Sequence, residues 1–238
     1  MIKKIGKTIS LFFLLIVMAI ACLAGLGYMD YKDAVDQTSV EEKMQSIQSH
    51  EDYVSLQELP ELYIKAVVAV EDHDFYKHPG IDIEAIGRAI FNNIKAMSFV
   101  EGGSTITQQL AKNEFFTQDK NFVRKFAEIF MAFDIESKYS KDEILEFYVN
   151  SIYFGEGYYG IYAANLGYFG VEPKDLNDAQ CILLAGIPNA PSVYSLQVNP
   201  LLAKQRAKQV LRQMVKYSFL SEEKAQNIAT QLDQMIAG

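Results

Sequence analysis

Apolar and polar positions along this chain recur almost everywhere at helical spacing. The first 28 residues are the exception, because Ile9 to Tyr28 is one uncharged apolar run. Twenty residues at 1.5 Å each span roughly the 30 Å of a bilayer's hydrocarbon, so the run predicts a transmembrane helix over 9–28. Residues 29–52 are polar, with Glu41, Glu42 and Lys43 among Gln and Ser, and read as a stalk. Tyr53 to Leu56 suggests a short strand. Pro60 suits the first turn of a helix that runs through Ala66-Val67-Val68-Ala69-Val70 to a rim at Glu71. Ile83, Ile86, Ile90, Ile94 and Met97 then recur at steps of three and four, giving one apolar face to a helix over 81–97.

Further on, Gly102-Gly103 permits a tight bend and Ser104 or Thr105 caps the helix that follows. Residues 114–121, with Phe115 and Phe116, read as a mobile loop with exposed aromatics. Phe122, Phe126, Phe130 and Phe133 line one face of the next helix, while Arg124 and Glu128 sit one turn apart on another, where a surface salt bridge is the ordinary outcome. Ser140-Lys141-Asp142-Glu143 is a capping box opening a helix through Asn150. A Gly- and Tyr-rich stretch leads into a helix over 161–166, Asn177 caps a short apolar helix ended by Pro188, and Asn189 to Ser192 reads as a loop. Helices open at Pro200 and Ser221. The chain is mainly α.

Charge then narrows the picture. A net charge of -8 at pH 7 argues against a general nucleic-acid binder, which needs a basic face. Lys3, Lys4 and Lys7 precede the apolar run and Asp30, Asp33 and Asp36 follow it, so the positive-inside rule leaves the N-terminus in the cytoplasm and everything after Tyr28 outside. A cleaved signal peptide competes, but its apolar core would be shorter. Two cysteines, Cys22 and Cys181, make no disulfide framework and lie in apolar segments, where packing is the default. His50, His73 and His78 lack metal-ligand spacing.

The chemistry gathers in a few places. Glu71-Asp72-His73-Asp74 closes an apolar helix, and a carboxylate at such a rim has its pKa raised by partial desolvation. Thr105, Gln108, Gln109 and Lys112 are three or four residues apart at the start of a helix, a face of hydroxyl, amides and ammonium that suits a sugar phosphate. Gly155 to Gly160 spells G-x-G-x-x-G, but no βαβ pattern surrounds it, so it marks a turn.

Five motifs in order complete the reading: Glu71-Asp72-x-x-Phe75-x-x-His78-x-Gly80; Gly102-Gly103-Ser104-Thr105-Ile106-Thr107-Gln108-Gln109-x-x-Lys112-Asn113; Arg124-Lys125-x-x-Glu128; Lys141-x-x-Ile144-Leu145-Glu146-x-Tyr148-x-Asn150; and Gly157-x-x-Gly160-x-x-Ala163-Ala164. With these the chain resembles the peptidoglycan glycosyltransferases over roughly Ser55 to Leu211. The resemblance implies a lysozyme-like helical domain, over residues 53–238, with a smaller membrane-facing lobe. It implies polymerisation of lipid II, with inversion at the anomeric carbon and loss of undecaprenyl pyrophosphate. By match of motif Glu71 is the general base and Glu128 assists near the leaving group. Lys112, Arg124 and Lys125 are candidates to hold the pyrophosphate, with Arg88, Ser104, Thr105, Gln108, Gln109 and Asn113 in support. A divalent cation, Mg or Mn, could bridge Glu128 to the pyrophosphate. Lipid contact is expected at Phe115, Phe116 and the Phe122 to Phe133 stripe. Expected partners are lipid II, the growing strand, membrane lipids and other cell-wall synthesis proteins, at the outer face of a bacterial plasma membrane. Ending at Gly238, the chain reads as a monofunctional enzyme. A glycan-cleaving lysozyme-like enzyme and an inactive scaffold are the competing readings.

Overall fold

The computed structural model describes residues 2–98, 102–117 and 121–236, and leaves the side chains of residues 2–6, 8 and 9 undescribed. Glu101 and residues 118–120 of the expected mobile loop therefore lie outside the described residues. Twelve α-helices are described: α1 (Ile2–Gln37), α2 (Val40–Gln48), α3 (Glu61–Glu71), α4 (Ile83–Ala96), α5 (Ile106–Phe115), α6 (Phe122–Lys138), α7 (Lys141–Ser151), α8 (Gly160–Phe169), α9 (Asp178–Gly186), α10 (Pro191–Tyr194), α11 (Pro200–Lys216) and α12 (Glu222–Met235). Among the described residues there is no strand, only an isolated antiparallel bridge between Tyr153 and Tyr159. The arrangement is an all-α body consistent with the lysozyme-like class.

Most starts follow the capping chemistry in the sequence. Ser39, Thr105, Ser140 and Asn177 each accept from the backbone N–H three residues on, while the side chain of that third residue turns back to the cap. The expected strand at Tyr53 to Leu56 does not form. Ser55 instead caps a 3₁₀ turn, Leu56–Glu58, and Asn150 and Glu146 of α7 take up the segment's backbone groups, with Val54 N–H donating to Asn150 Oδ1 at 2.9 Å and Leu56 N–H to Glu146 Oε2 at 2.6 Å. The expected loop after Pro188 is likewise a 3₁₀ turn, Ile187–Asn189, followed by α10.

The core has two packed groups. In one, α3, α9, α11 and α12 share their faces; in the other, α5 lies between α6 and α7, with α8 beyond. Ala66 to Ala69 of α3 and Cys181 to Ala185 of α9 are buried all round, which is why these helices lack a polar stripe. Cys181 packs there, its thiol pushed up to about 12 by burial.

Three segments differ from the expectations read from composition. In the polar segment read as a stalk, Val40 and Met44 of α2 are fully buried in the core. The Phe stripe of α6 is divided: Phe122 is 78% exposed, whereas Phe130 meets Tyr28 of α1 edge-on, with ring centres 5.4 Å apart. At Gly27 the two helices touch, since a Cβ there would come within 2.5 Å of Phe126 Cβ and 2.8 Å of the Val123 carbonyl oxygen. Phe115 and Phe116, expected at the bilayer, fold back against the core.

The remaining apolar face is left open. On α4 only Ala89 is buried, while Ile83, Ile90, Phe91, Ile94 and Met97 are exposed. Gly103 meets this helix closely, a Cβ there lying 3.1 Å from Ile86 Cα. Helical period correctly marks one side of α4 as apolar; it does not say whether protein covers that side. Among the described residues, α1 is the one helix long and apolar enough to cross a membrane, over Ser10–Gln37.

Candidate active site

The site forms where the C-terminal end of α3, the first turns of α5 and the first turns of α6 meet. Asp72 joins the first two. It is buried, it accepts from the Ile106 N–H at 3.0 Å, and both its oxygens contact His78 Nε2 at 2.9 and 3.0 Å. A carboxylate at the N-terminus of α5 matches the positive end of the helix dipole. Thr105 Oγ1 donates to the Gly80 carbonyl at 2.6 Å, and Gly80 takes a positive φ of 94°. Behind this junction, Glu136 accepts from Thr107 Oγ1 and Lys141 Nζ, both at 2.6 Å, and Lys141 lies over the Phe75 ring. Phe75, His78 and Lys141 thus hold the backbone that presents Glu71.

The Glu71 carboxyl is oriented by one chain of contacts. Tyr148 hydroxyl donates to Gln109 Oε1 at 3.2 Å, so the Gln109 amide turns its Nε2 to donate to Glu71 Oε2 at 2.9 Å. The other oxygen, Oε1, is buried and has no partner among the described residues. Burial pushes the Glu71 pKa up, opposed by the Gln109 hydrogen bond and the charges of Arg206 and Lys112. Removing the Gln109 hydrogen bond should therefore raise that pKa further. In Gln109→Ala the acid limb of the pH–rate profile is expected to move to higher pH, and an unmoved limb would assign it to another group.

Glu128 shares one neighbour with Glu71, since the charges of both act on Lys112. It is buried on α6, with Arg124 Nε 2.9 Å from Oε1 and Lys125 Nζ 2.8 Å from Oε2. The surface salt bridge expected of this pair is instead a buried one, because the first turns of α6 pack against α5. Lys125 also donates to Ser104 Oγ at 2.7 Å, and Arg124 to the Thr117 carbonyl at 3.1 Å. Lys112 lies within electrostatic reach of Glu128, Arg124, Lys125 and Glu71, and burial holds its ammonium below the usual lysine range.

The structure thus brings together Glu71, Gln109, Lys112, Ser104, Arg124, Lys125 and Glu128. Thr105 and Gln108 are buried and taken up by the cap of α5 rather than facing the cluster. Asn113 is half-buried beside Lys112 in sequence. Arg88, on α4, is half-buried, and its charge acts on His73 and Asp74. Tyr148 and Arg206 were not anticipated. Tyr148 stood in the fourth motif, a hydroxyl on an otherwise apolar helix face. Arg206, more than a hundred residues from Glu71, gave no local signal. Both Glu128 oxygens face cations, and among the described residues no group of three or more His, Cys, Asp or Glu is placed to hold a metal by itself.

Residues 37–215 match the sequence model of the transglycosylase family. Penicillin-binding protein 1F of Bacillus subtilis (strain 168) is 48% identical over 172 residues, which is 72% of this chain and 24% of that protein. Penicillin-binding protein 2D of the same organism is 46% identical over 176 residues, 74% of this chain and 26% of that protein. Penicillin-binding protein 1A of Neisseria gonorrhoeae is 42% identical over 170 residues, 71% and 21% respectively. Among solved structures, penicillin-binding protein 1A from Haemophilus influenzae aligns over 74% of this chain and 17% of its own, with a TM-score of 0.44 and 21% identity. The chain spans about a quarter of the length of the curated relatives it matches. With most of its residues inside the matched region and the motif side chains gathered at one site, the chain belongs to the transglycosylase family.

Proposed function

We propose that the chain is a peptidoglycan glycosyltransferase that polymerises lipid II at a membrane surface. The observation that carries this reading is Lys112, a half-buried cation within electrostatic reach of two carboxylates, Glu71 and Glu128, and of two further cations. An inverting displacement needs a base on one side of the sugar and leaving-group stabilisation on the other. Glu71 Oε1 takes the proton of the acceptor's 4-hydroxyl as that oxygen bonds to the donor's anomeric carbon. The bond from that carbon to the pyrophosphate breaks, and its electron pair leaves with the phosphate oxygen. The departing group is already a stable anion, so it needs positive charge more than a proton, and Lys112, Arg124 and Lys125 supply it. Glu128 holds Arg124 and Lys125 in place for that task.

The open apolar face of α4 and the apolar α1 suit a substrate held in a bilayer. In this reading the body lies on the outer face of the membrane, and tethering raises the effective concentration of enzyme and lipid-linked substrate. The test is purified protein with lipid II, with and without a chelator. Polymer is the expected product; degradation of preformed glycan without polymer would replace the reading with a hydrolase. Lys112→Ala should lose at least about tenfold in kcat/KM, about 1.4 kcal/mol, and a loss under about twofold would remove Lys112 from pyrophosphate binding.

A further inference from the structure

A polar cavity of about 250 Å³, separate from the cluster around Glu71, lies where α2, the end of α5 and the end of α7 meet. None of its lining belongs to the cluster around Glu71 and Glu128. Glu114 in its wall follows Gln109 by five residues, which turns it about 140° around α5, away from the Gln109 face. The cavity is formed by a close approach. Gly160 has φ of 77°, and a Cβ there would lie 2.5 Å from the Asn150 carbonyl oxygen, so only glycine lets this turn meet the end of α7. The approach places Tyr159 and Tyr162 along one edge, and Tyr153 packs on the Tyr159 ring at 4.8 Å.

The lining chemistry is mixed. Burial pushes the Glu114 carboxyl up, with Lys43 opposing, and Ser151 stands beside it, its buried Oγ without a partner in hydrogen-bonding geometry. Lys43 and His50 are set against Glu114 and Asp52, so no single sign of charge dominates. An anion would face two carboxylates and a cation would face a lysine. A neutral ligand with several hydroxyl and amide groups and an apolar ring face fits all of the walls. Convergent polar groups, a perturbed carboxyl and aromatic rings in one recess are the marks of a binding site, and the volume suits one ring with its substituents.

We propose that this cavity is a secondary carbohydrate subsite that holds one N-acetylhexosamine unit of a glycan strand away from the reaction centre. The identity of the strand rests on the function proposed above. The test titrates the full chain in detergent micelles with the trisaccharide of N-acetylglucosamine, followed by saturation-transfer NMR. Saturable binding is expected. It should weaken at least about fivefold in Ser46→Trp, which blocks the cavity from an exposed position on α2, and in Glu114→Gln, and should be unchanged in Glu71→Gln. With lipid II, Ser46→Trp should start polymerisation at the wild-type rate and yield shorter strands. Absence of saturable binding overturns the subsite, as does binding that survives both cavity variants or falls in Glu71→Gln. No lipid II enters the binding arm, so a wild-type chain that fails to polymerise would overturn the proposed function without altering that arm's result.

Discussion

Replacing Glu71 by Gln is expected to lower lipid II polymerisation by about a thousandfold, within the roughly 10²–10⁴ contributed by a positioned general base. The substitution keeps the shape of the side chain but replaces the basic carboxylate with an amide too weakly basic to take the acceptor's proton. It should not cost stability. Burial raises the Glu71 pKa in the folded chain above its unfolded value, so the folded state holds the proton more tightly. The stabilisation that proton gives is complete at low pH and is lost as pH rises through the folded pKa. At neutral pH a neutral amide in that place leaves the melting temperature equal or higher. Lipid II affinity should also persist, since the cations are untouched. A variant that retained a tenth of wild-type turnover would remove Glu71 from the proton transfer.

Glu128→Ala should damage fold and rate together. It leaves the half-buried Arg124, and the more exposed Lys125, without the buried carboxylate that now lies between them. Removing one partner of a buried pair costs about 3–5 kcal/mol, a fall in melting temperature on the order of 10 °C for a chain of this size. The double variant Arg124→Met/Glu128→Leu separates the two effects. It removes both charges, so much of the stability should return, whereas turnover should stay low because the leaving group has lost a cation. A single Glu128→Ala chain that melts within about a degree of wild type would show that α6 keeps its place without this pair.

The contrast between these two glutamates shows what the sequence could reveal. Glu71 is legible because a local pattern, an apolar helix running into a carboxylate, itself sets the desolvation that makes it chemically useful. The caps at Thr105, Ser140 and Asn177 are legible for the same reason, each being closed within four residues. Glu128 looks like an ordinary surface partner of Arg124 until α5 is packed against it, and burial of that kind is a property of two helices. Gln109 was readable as a polar residue on a polar face, but its aim at Glu71 is set by Tyr148, 39 residues away. Arg206 comes within electrostatic range only once α11 packs on α3. The apolar residues of α4 and the Phe residues of α6 give equally clear periods. One set is left open and the other is partly covered by α1, and period alone cannot tell the two apart. The polar segment after Gln37 hides its attachment because only three of the nine residues of α2, Val40, Met44 and Ile47, fix it to the core.

The contact at Gly27 makes the anchor a gauge. Since α1 meets α6 backbone to backbone there, and α6 bears Arg124, Lys125 and Glu128, the depth at which the anchor settles sets the altitude of the cations above the lipid headgroups. One extra helical turn inserted before Gly27, about 5.4 Å, would find no hinge to absorb it. On the proposed function the whole body would rise, and a lipid-linked diphosphate would have to climb out of its leaflet to be reached.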